Sequence, residues 1–229
     1  MSDYQPKPRH YPDMNNLKSQ NFAIVCVLAS VISYVPTAIA DDDRYELGFR
    51  AETNLGPGVP ANDMIGFSFI GRYRLNENWL LGLALEHSPE FDVEDPFRRF
   101  NIDAETNDPA ATSTMISAWG ERRYWQTPMS RYLFWTAGMG INQVDVDDLV
   151  DTDNAGNPYD ISTAVDSEIA LTGSFGQRHR FGSAFSVGYG ARVEYRLTEW
   201  TFTNRETDET ATVDDYFVHG AFVDINYAF

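Results

Sequence analysis

The sequence predicts an all-β fold: eight antiparallel strands joined up-and-down and closed into a transmembrane β-barrel. Three observations predict it. Segments of roughly ten residues alternate apolar with small or polar side chains at period two, as strands do when their two faces meet different surroundings. The connections are alternately short and long, and acidic residues gather in the long ones. The last stretch puts Ala221, Val223, Ile225, Tyr227 and Phe229 on one unbroken apolar face, opposite Gly220, Phe222, Asp224, Asn226 and Ala228.

The first forty residues read differently. The apolar run Phe22 to Ala40 ends Thr37-Ala38-Ile39-Ala40, a small-x-small cleavage site. Residues 1–40 are therefore expected to be a cleaved secretory signal, and residues 41–229 the barrel domain of the exported protein. Met14, followed by Asn15-Asn16-Leu17-Lys18, reads as a more natural start than Met1. Cys26 lies inside the run, and Ala23-Ile24-Val25 before it lacks the small residue that precedes a lipidated cysteine. The exported chain then has no thiol, disulfide or cysteine metal site. Beyond residue 40 no stretch reaches the ~18 apolar residues of a spanning helix, and every positive charge is arginine. Arginine suits planar pairing with carboxylates in enclosed places. A formal charge of -17 argues against nucleic acid as a partner.

Taken in order, the first strand sets Tyr45, Leu47, Phe49 and Ala51 against Glu46, Gly48, Arg50 and Glu52. The breaker cluster Asn54–Asp63 follows. The second strand sets Ile65, Phe67, Phe69, Gly71, Tyr73 and Leu75 against Gly66, Ser68, Ile70, Arg72 and Arg74, with a tight turn at Asn76-Glu77-Asn78. The third sets Trp79, Leu81, Leu83 and Leu85 against Leu80, Gly82, Ala84 and Glu86, before a polar segment from Ser88 to about Ala111. The fourth, about Thr112 to Trp125, leaves its faces open, because Glu121-Arg122-Arg123 puts charge on both and a bulge could reset the parity. A turn at Gln126–Ser130 leads to the fifth strand, with Leu133, Trp135, Ala137, Met139 and Ile141 outward.

An acidic segment, Gln143 to about Ala164, precedes the sixth strand, which sets Val165, Ile169, Leu171, Gly173 and Phe175 against Glu168, Ala170, Thr172 and Ser174. Gly176–Arg180 reads as the third short turn. The seventh strand sets Phe181, Phe185, Val187, Tyr189, Ala191, Val193 and Tyr195 against Gly182, Ala184, Ser186, Gly188, Gly190, Arg192, Glu194 and Arg196. A last acidic loop, Leu197 to Asp215, leads to the closing strand. Turns near residues 77, 128 and 178 thus divide the chain into four hairpins. Tyr73, Trp79, Tyr124, Trp125, Tyr132, Phe181, Tyr227 and Phe229 cluster near the short turns, as an interfacial girdle would.

These features resemble the small eight-stranded outer-membrane barrels of the OmpA transmembrane, OmpX and OmpW-like superfamily. The resemblance spans residues 41–229 and is carried by Ala137-Gly138-Met139-Gly140, by Gly188 through Leu197 and by Asn226-Tyr227-Ala228-Phe229. It implies a Gram-negative outer membrane, contact with its lipid and lipopolysaccharide, and Val223, Ile225, Tyr227 and Phe229 as the insertion signal read by the barrel-assembly machinery. It implies no reaction.

The inward face is expected to hold Glu46, Arg50, Glu52, Arg72, Arg74, Glu86, Arg192, Glu194 and Arg196. An eight-stranded lumen has room for little beyond side chains, so these are expected to pair and fill it, with at most narrow porin-like permeability. A gated pore whose pairs exchange partners is the other reading. At the outer rim, His87-Ser88-Pro89-Glu90 supplies the residue types of a lipid A deacylase or acyltransferase, but adjacent strand residues face opposite ways. The His-x-Ser spacing of known barrel deacylases is absent. Asp151-Thr152-Asp153-Asn154-Ala155-Gly156 begins like a calcium loop, but Ala155 and Ser162 occupy ligand positions.

The expectation is a structural or surface-interacting barrel with no catalysis, cofactor or metal. Alternatives are an OmpW-like conduit for small apolar solutes, a lipid A-modifying enzyme and a soluble lipocalin-like periplasmic barrel with its faces reversed.

Overall fold

The computed structural model describes residues 44–55, 61–62, 64–93, 100, 109–126, 130–165 and 167–229. The signal read at residues 1–40 lies outside them. In chain order the strands are β1 (Tyr45–Leu55), β2 (Ala61–Asn62), β3 (Met64–Arg74), β4 (Trp79–Val93), β5 (Ala110–Gln126), β6 (Arg131–Val146) and β7 (Leu149–Thr152). There follow β8 (Pro158–Val165), β9 (Glu168–Phe181), β10 (Phe185–Leu197), β11 (Trp200–Asn204), β12 (Glu209–Val213) and β13 (Tyr216–Ala228).

Eight long strands close into an antiparallel barrel: β1, β3, β4, β5, β6, β9, β10 and β13, each paired with the next. β13 closes the ring by pairing with β1, in a register that sets Leu47 opposite Tyr227, Phe49 opposite Ile225 and Ala51 opposite Val223. Period two then fixes both faces at once. Leu83, Ile116, Ile141 and Phe175 stand on the outer wall, 62–66% exposed, whereas Glu52, Glu86, Glu121 and Arg178 inside are at most 3% exposed. A wall this apolar over a charged interior suits hydrocarbon and is the reverse of a lipocalin-like barrel in water.

The structure revises several boundaries. β5 pairs with β6 continuously from Ala111 to Gln126, so no bulge resets its parity; Glu121 and Arg123 face inward and Arg122 outward. The third short turn is at 182–184, not at 176–180, and Phe181 belongs to β9. Gly176 read as a turn residue, yet it sits mid-strand because a Cβ there would collide with the Tyr189 carbonyl of β10. The positive φ of 75° belongs to Gly182. β4 runs on to Val93, with its register shifted between Ser88 and Phe91. That bulge absorbs Pro89, which has no N–H for the ladder. Tyr132, read as a girdle residue, points inward and is 1% exposed.

The acidic segments after β6 and β10 are also ordered. They form two hairpins, β7–β8 and β11–β12, joined into one four-stranded sheet in the order β12-β11-β8-β7. Tyr159, Ile161, Trp200 and Phe202 from this sheet pack with Met64, Phe91, Val93, Ala111, Tyr216 and Val218 of the barrel. The long-loop end of the barrel therefore carries an apolar cap.

Candidate functional site: a charged lumen

The lumen holds the carboxylates of Glu46, Glu52, Glu86, Glu121, Glu168, Glu194 and Asp224. One for one, they are balanced by the guanidiniums of Arg50, Arg72, Arg74, Arg123, Arg178, Arg192 and Arg196. Each stands on the inward parity of its strand, and none could be buried without partners.

The charges form two tiers. Toward the short turns, Asp224 accepts from Arg178 at 2.8 Å, Arg72 at 3.2 Å and Arg50 at 3.4 Å. Glu121 meets Arg123 at 2.8 Å, Arg178 at 3.0 Å and Arg72 at 3.2 Å. Arg123 donates bidentately to Glu46 at 2.8 and 2.7 Å, and Arg74 reaches Glu46 at 3.3 Å. Arg178 also donates to the Tyr132 hydroxyl at 3.1 Å and lies 4.5 Å over the Phe134 ring. Cations thus outnumber carboxylates in this tier.

In the outer tier carboxylates are in excess. Arg192 lies 2.7 Å from both Glu52 and Glu86 and also contacts Glu194. Arg196 donates to Glu194 through Nε at 2.8 Å and meets Glu168 at 2.6 Å. Glu168 further accepts from Asn142 at 2.7 Å, Tyr216 at 2.7 Å and Trp200 at 2.9 Å, which ties the cap to the wall.

A leaner belt separates the tiers. Ile70, Ala84 and Trp119 cluster there, Thr136 and Ser174 share a hydrogen bond of 2.6 Å, and Arg50 lies 4.1 Å over the Phe222 ring. A cavity of about 20 Å³ remains, lined by Arg50, Ser68, Glu86, Ser117, Trp119 and Arg192 among others. That is room for about one water molecule. A second cavity, of about 10 Å³, lies under the cap between Met64, Phe91, Glu168 and Trp200.

All nine residues singled out from the sequence lie in these tiers. Sequence reasoning missed Glu121, Arg123, Arg178 and Asp224 as members, and Glu168 as the hub of the outer tier. Glu168 and Asp224 stood on the correct parity, and that was the available signal. Arg178 was hidden by the misplaced turn, Glu121 and Arg123 by the apparent clash with Arg122.

The rim candidates separate. His87 is exposed on the outer wall and bonds Thr114 at 3.1 Å, while Ser88 is fully buried on the other face. His219 is exposed on β13. Asp153 accepts from the backbone N–H of Ala155 at 2.9 Å and of Asn157 at 2.7 Å, and from the Asn157 amide at 2.8 Å. It closes the β7–β8 turn, and these bonds hold its carboxyl below the usual aspartate range. Among the described residues no cluster of His, Cys, Asp and Glu is placed to hold a metal ion.

A closed eight-stranded wall with an apolar exterior and an ion-paired interior defines a small integral membrane barrel. Several solved outer-membrane barrels are similar to this chain. Neisserial surface protein A is 14% identical, with 82% of this chain and 98% of that chain covered and a TM-score of 0.46. OprG from Pseudomonas aeruginosa is 10% identical, covering 81% and 94%, with a TM-score of 0.48. The Ail protein of Yersinia pestis is 13% identical, covering 81% and 95%, with a TM-score of 0.40. No family model matches the chain, and no curated protein sequence does.

Proposed function

We propose that this is an integral outer-membrane barrel with a structural or surface-interaction role, sealed to solutes in its resting form. The supporting observation is the lumen itself. Among the described residues, two tiers of buried ion pairs and an apolar cap surround cavities of about 20 and 10 Å³, each far smaller than a channel. Opening the lumen would require several buried pairs to part together, and a buried charge left without its partner is strongly unfavourable. The reading takes residues 1–40 as the export signal and Val223, Ile225, Tyr227 and Phe229 as the insertion signal. β13 fits that role, for its outward side chains are the last to close the wall and Phe229 stacks on Tyr45 and Tyr227. The exposed, acidic side of the cap then faces the cell exterior and the lipopolysaccharide, with its apolar side packed on the barrel.

An enzymatic role gains no support from His87 and Ser88, which occupy opposite faces. The apolar lining under the cap is what a conduit for small apolar solutes would use, but only after the cap lifts.

The test is single-channel recording of membrane-extracted protein in planar bilayers, after a heat-modifiable gel shift has established folding. The sealed reading expects a silent barrel. Discrete openings in the unmodified protein would overturn it.

A further inference from the structure

We propose that the outer wall of β4, β5 and β6, at its short-turn rim, binds the phosphate of an anionic phospholipid headgroup, with Arg122 as the principal ligand. This rests on the reading that the barrel sits in a bilayer.

Apart from Arg44, the arginines among the described residues fall into two populations. Those of the lumen each have a carboxylate within 3.4 Å, and Arg205 in the cap pairs with Asp148 and Asp160 at 2.9 and 3.0 Å. Arg122, Arg131 and Arg180 have no carboxylate partner among the described residues. All three stand at the short-turn end: Arg122 pairs across the sheet with Trp79, the first residue of β4, Arg131 opens β6, and Arg180 is next to last in β9. Glu121 is one residue from Arg122, but strand parity sends it to the opposite face.

What surrounds Arg122 is aromatic. Its guanidinium carbon lies 5.2 Å from the ring centres of both Trp79 and Tyr124. Those rings are themselves braced. Trp135 donates its indole N–H to the Tyr124 hydroxyl at 3.2 Å and meets Trp79 edge-on at 5.9 Å. The clamp fixes the plane of the guanidinium at the depth of the aromatic girdle, where lipid headgroups lie. It supplies no acceptor, and the enclosed Nε has no hydrogen-bond partner. A planar donor fork held at headgroup depth matches phosphate oxygens. Zwitterionic lipid also carries a phosphate, but its ammonium would meet the unbalanced charge of Arg131 and Arg180. The site therefore favours a headgroup with net negative charge.

The experiment reconstitutes membrane-extracted protein into phosphatidylcholine vesicles containing graded fractions of brominated phosphatidylglycerol or brominated phosphatidylcholine. Quenching of tryptophan fluorescence is read, since Trp79 and Trp135 flank the site. The expected result is half-maximal quenching at about fivefold lower fraction of the brominated anionic lipid, the factor one arginine supplies at an anionic surface. Arg122→Gln should abolish that difference, Arg131→Gln should reduce it, and Arg122→Lys should retain part of it. Equal quenching by the two lipids in inserted wild-type protein overturns the inference, as does a preference that survives Arg122→Gln. Failure to insert, seen as loss of the gel shift and of protease protection, would overturn the bilayer reading and this site with it.

Discussion

Glu168 and Trp200 meet where the barrel ends and the cap begins: the indole N–H donates to the carboxylate at 2.9 Å, and both side chains are fully buried. The same carboxylate receives Arg196, Tyr216 and Asn142, so one side chain of β9 gathers donors from β6, β10, β11 and β13. Glu168→Ala strands those donors together. It is expected to cost ~3–5 kcal/mol in urea unfolding of the detergent-solubilised barrel. Trp200→Phe removes one donor to the carboxylate and keeps most of the packing, so about 2 kcal/mol is expected. Equal losses from the two would show that the cap is held by packing rather than through this carboxylate.

Arg178 joins Asp224 and Glu121, at 2.8 and 3.0 Å, and nothing else in the inner tier spans both so closely. Arg178→Met is expected to destabilise by at least as much as Glu168→Ala, because Asp224 and Glu121 each keep a buried charge while losing a partner. Arg178→Lys should recover only part, since an ammonium cannot present two parallel N–H bonds to one carboxylate while reaching a second. Urea midpoints of the three proteins decide it; full recovery by lysine would reduce Arg178 to a point charge.

The barrel was legible because period two is a long, redundant signal. Leu81, Leu83 and Leu85 state the lipid face of β4 three times, and the ladder to β5 repeats it through Ile116 and Ala118. Lumen charges sitting on such strands, as Glu46 and Arg192 do, could be assigned by parity alone. The misses came where that redundancy failed. Gly176 serves a close approach between strands, but sequence alone does not distinguish it from a turn glycine such as Gly182. Trp200 and Phe202 alternate only briefly within an acidic stretch, so the cap sheet read as loop. Ion-pair partners were not legible at all, since they depend on strands distant in sequence; Arg192 and Glu52 are 140 residues apart.

Asp153 gives the cap a pH dependence of known sign. Hydrogen bonds from Asn157 and the turn backbone lower its pKa below that of an unfolded aspartate. Its contribution is therefore present above the unfolded value and is lost as pH falls through the lowered one. Amide exchange at Ala155 and Asn157 should accelerate in that acidic range, beyond the intrinsic change, and stay flat across neutral pH. Asp153→Ala should exchange rapidly at every pH. An unchanged acid profile in Asp153→Ala would assign the opening to another group.

Arg192 is where the proposed seal should be easiest to break. It holds Glu52 and Glu86, each at 2.7 Å, and contacts Glu194 beside the central cavity of about 20 Å³. Arg192→Ala removes the volume of a guanidinium beside that cavity and leaves three carboxylates facing one another without it. Like charges enclosed together draw in water and cations. The variant is expected to show discrete openings where the wild type is silent, with a reversal potential in a potassium chloride gradient that marks cation selectivity. Adding Glu86→Gln should weaken that selectivity, because one carboxylate of the new constriction loses its charge. Anion-selective openings would place the constriction in the inner tier, where arginines are in excess. Silence in the folded variant would show that the cap or the inner tier closes the barrel without Arg192.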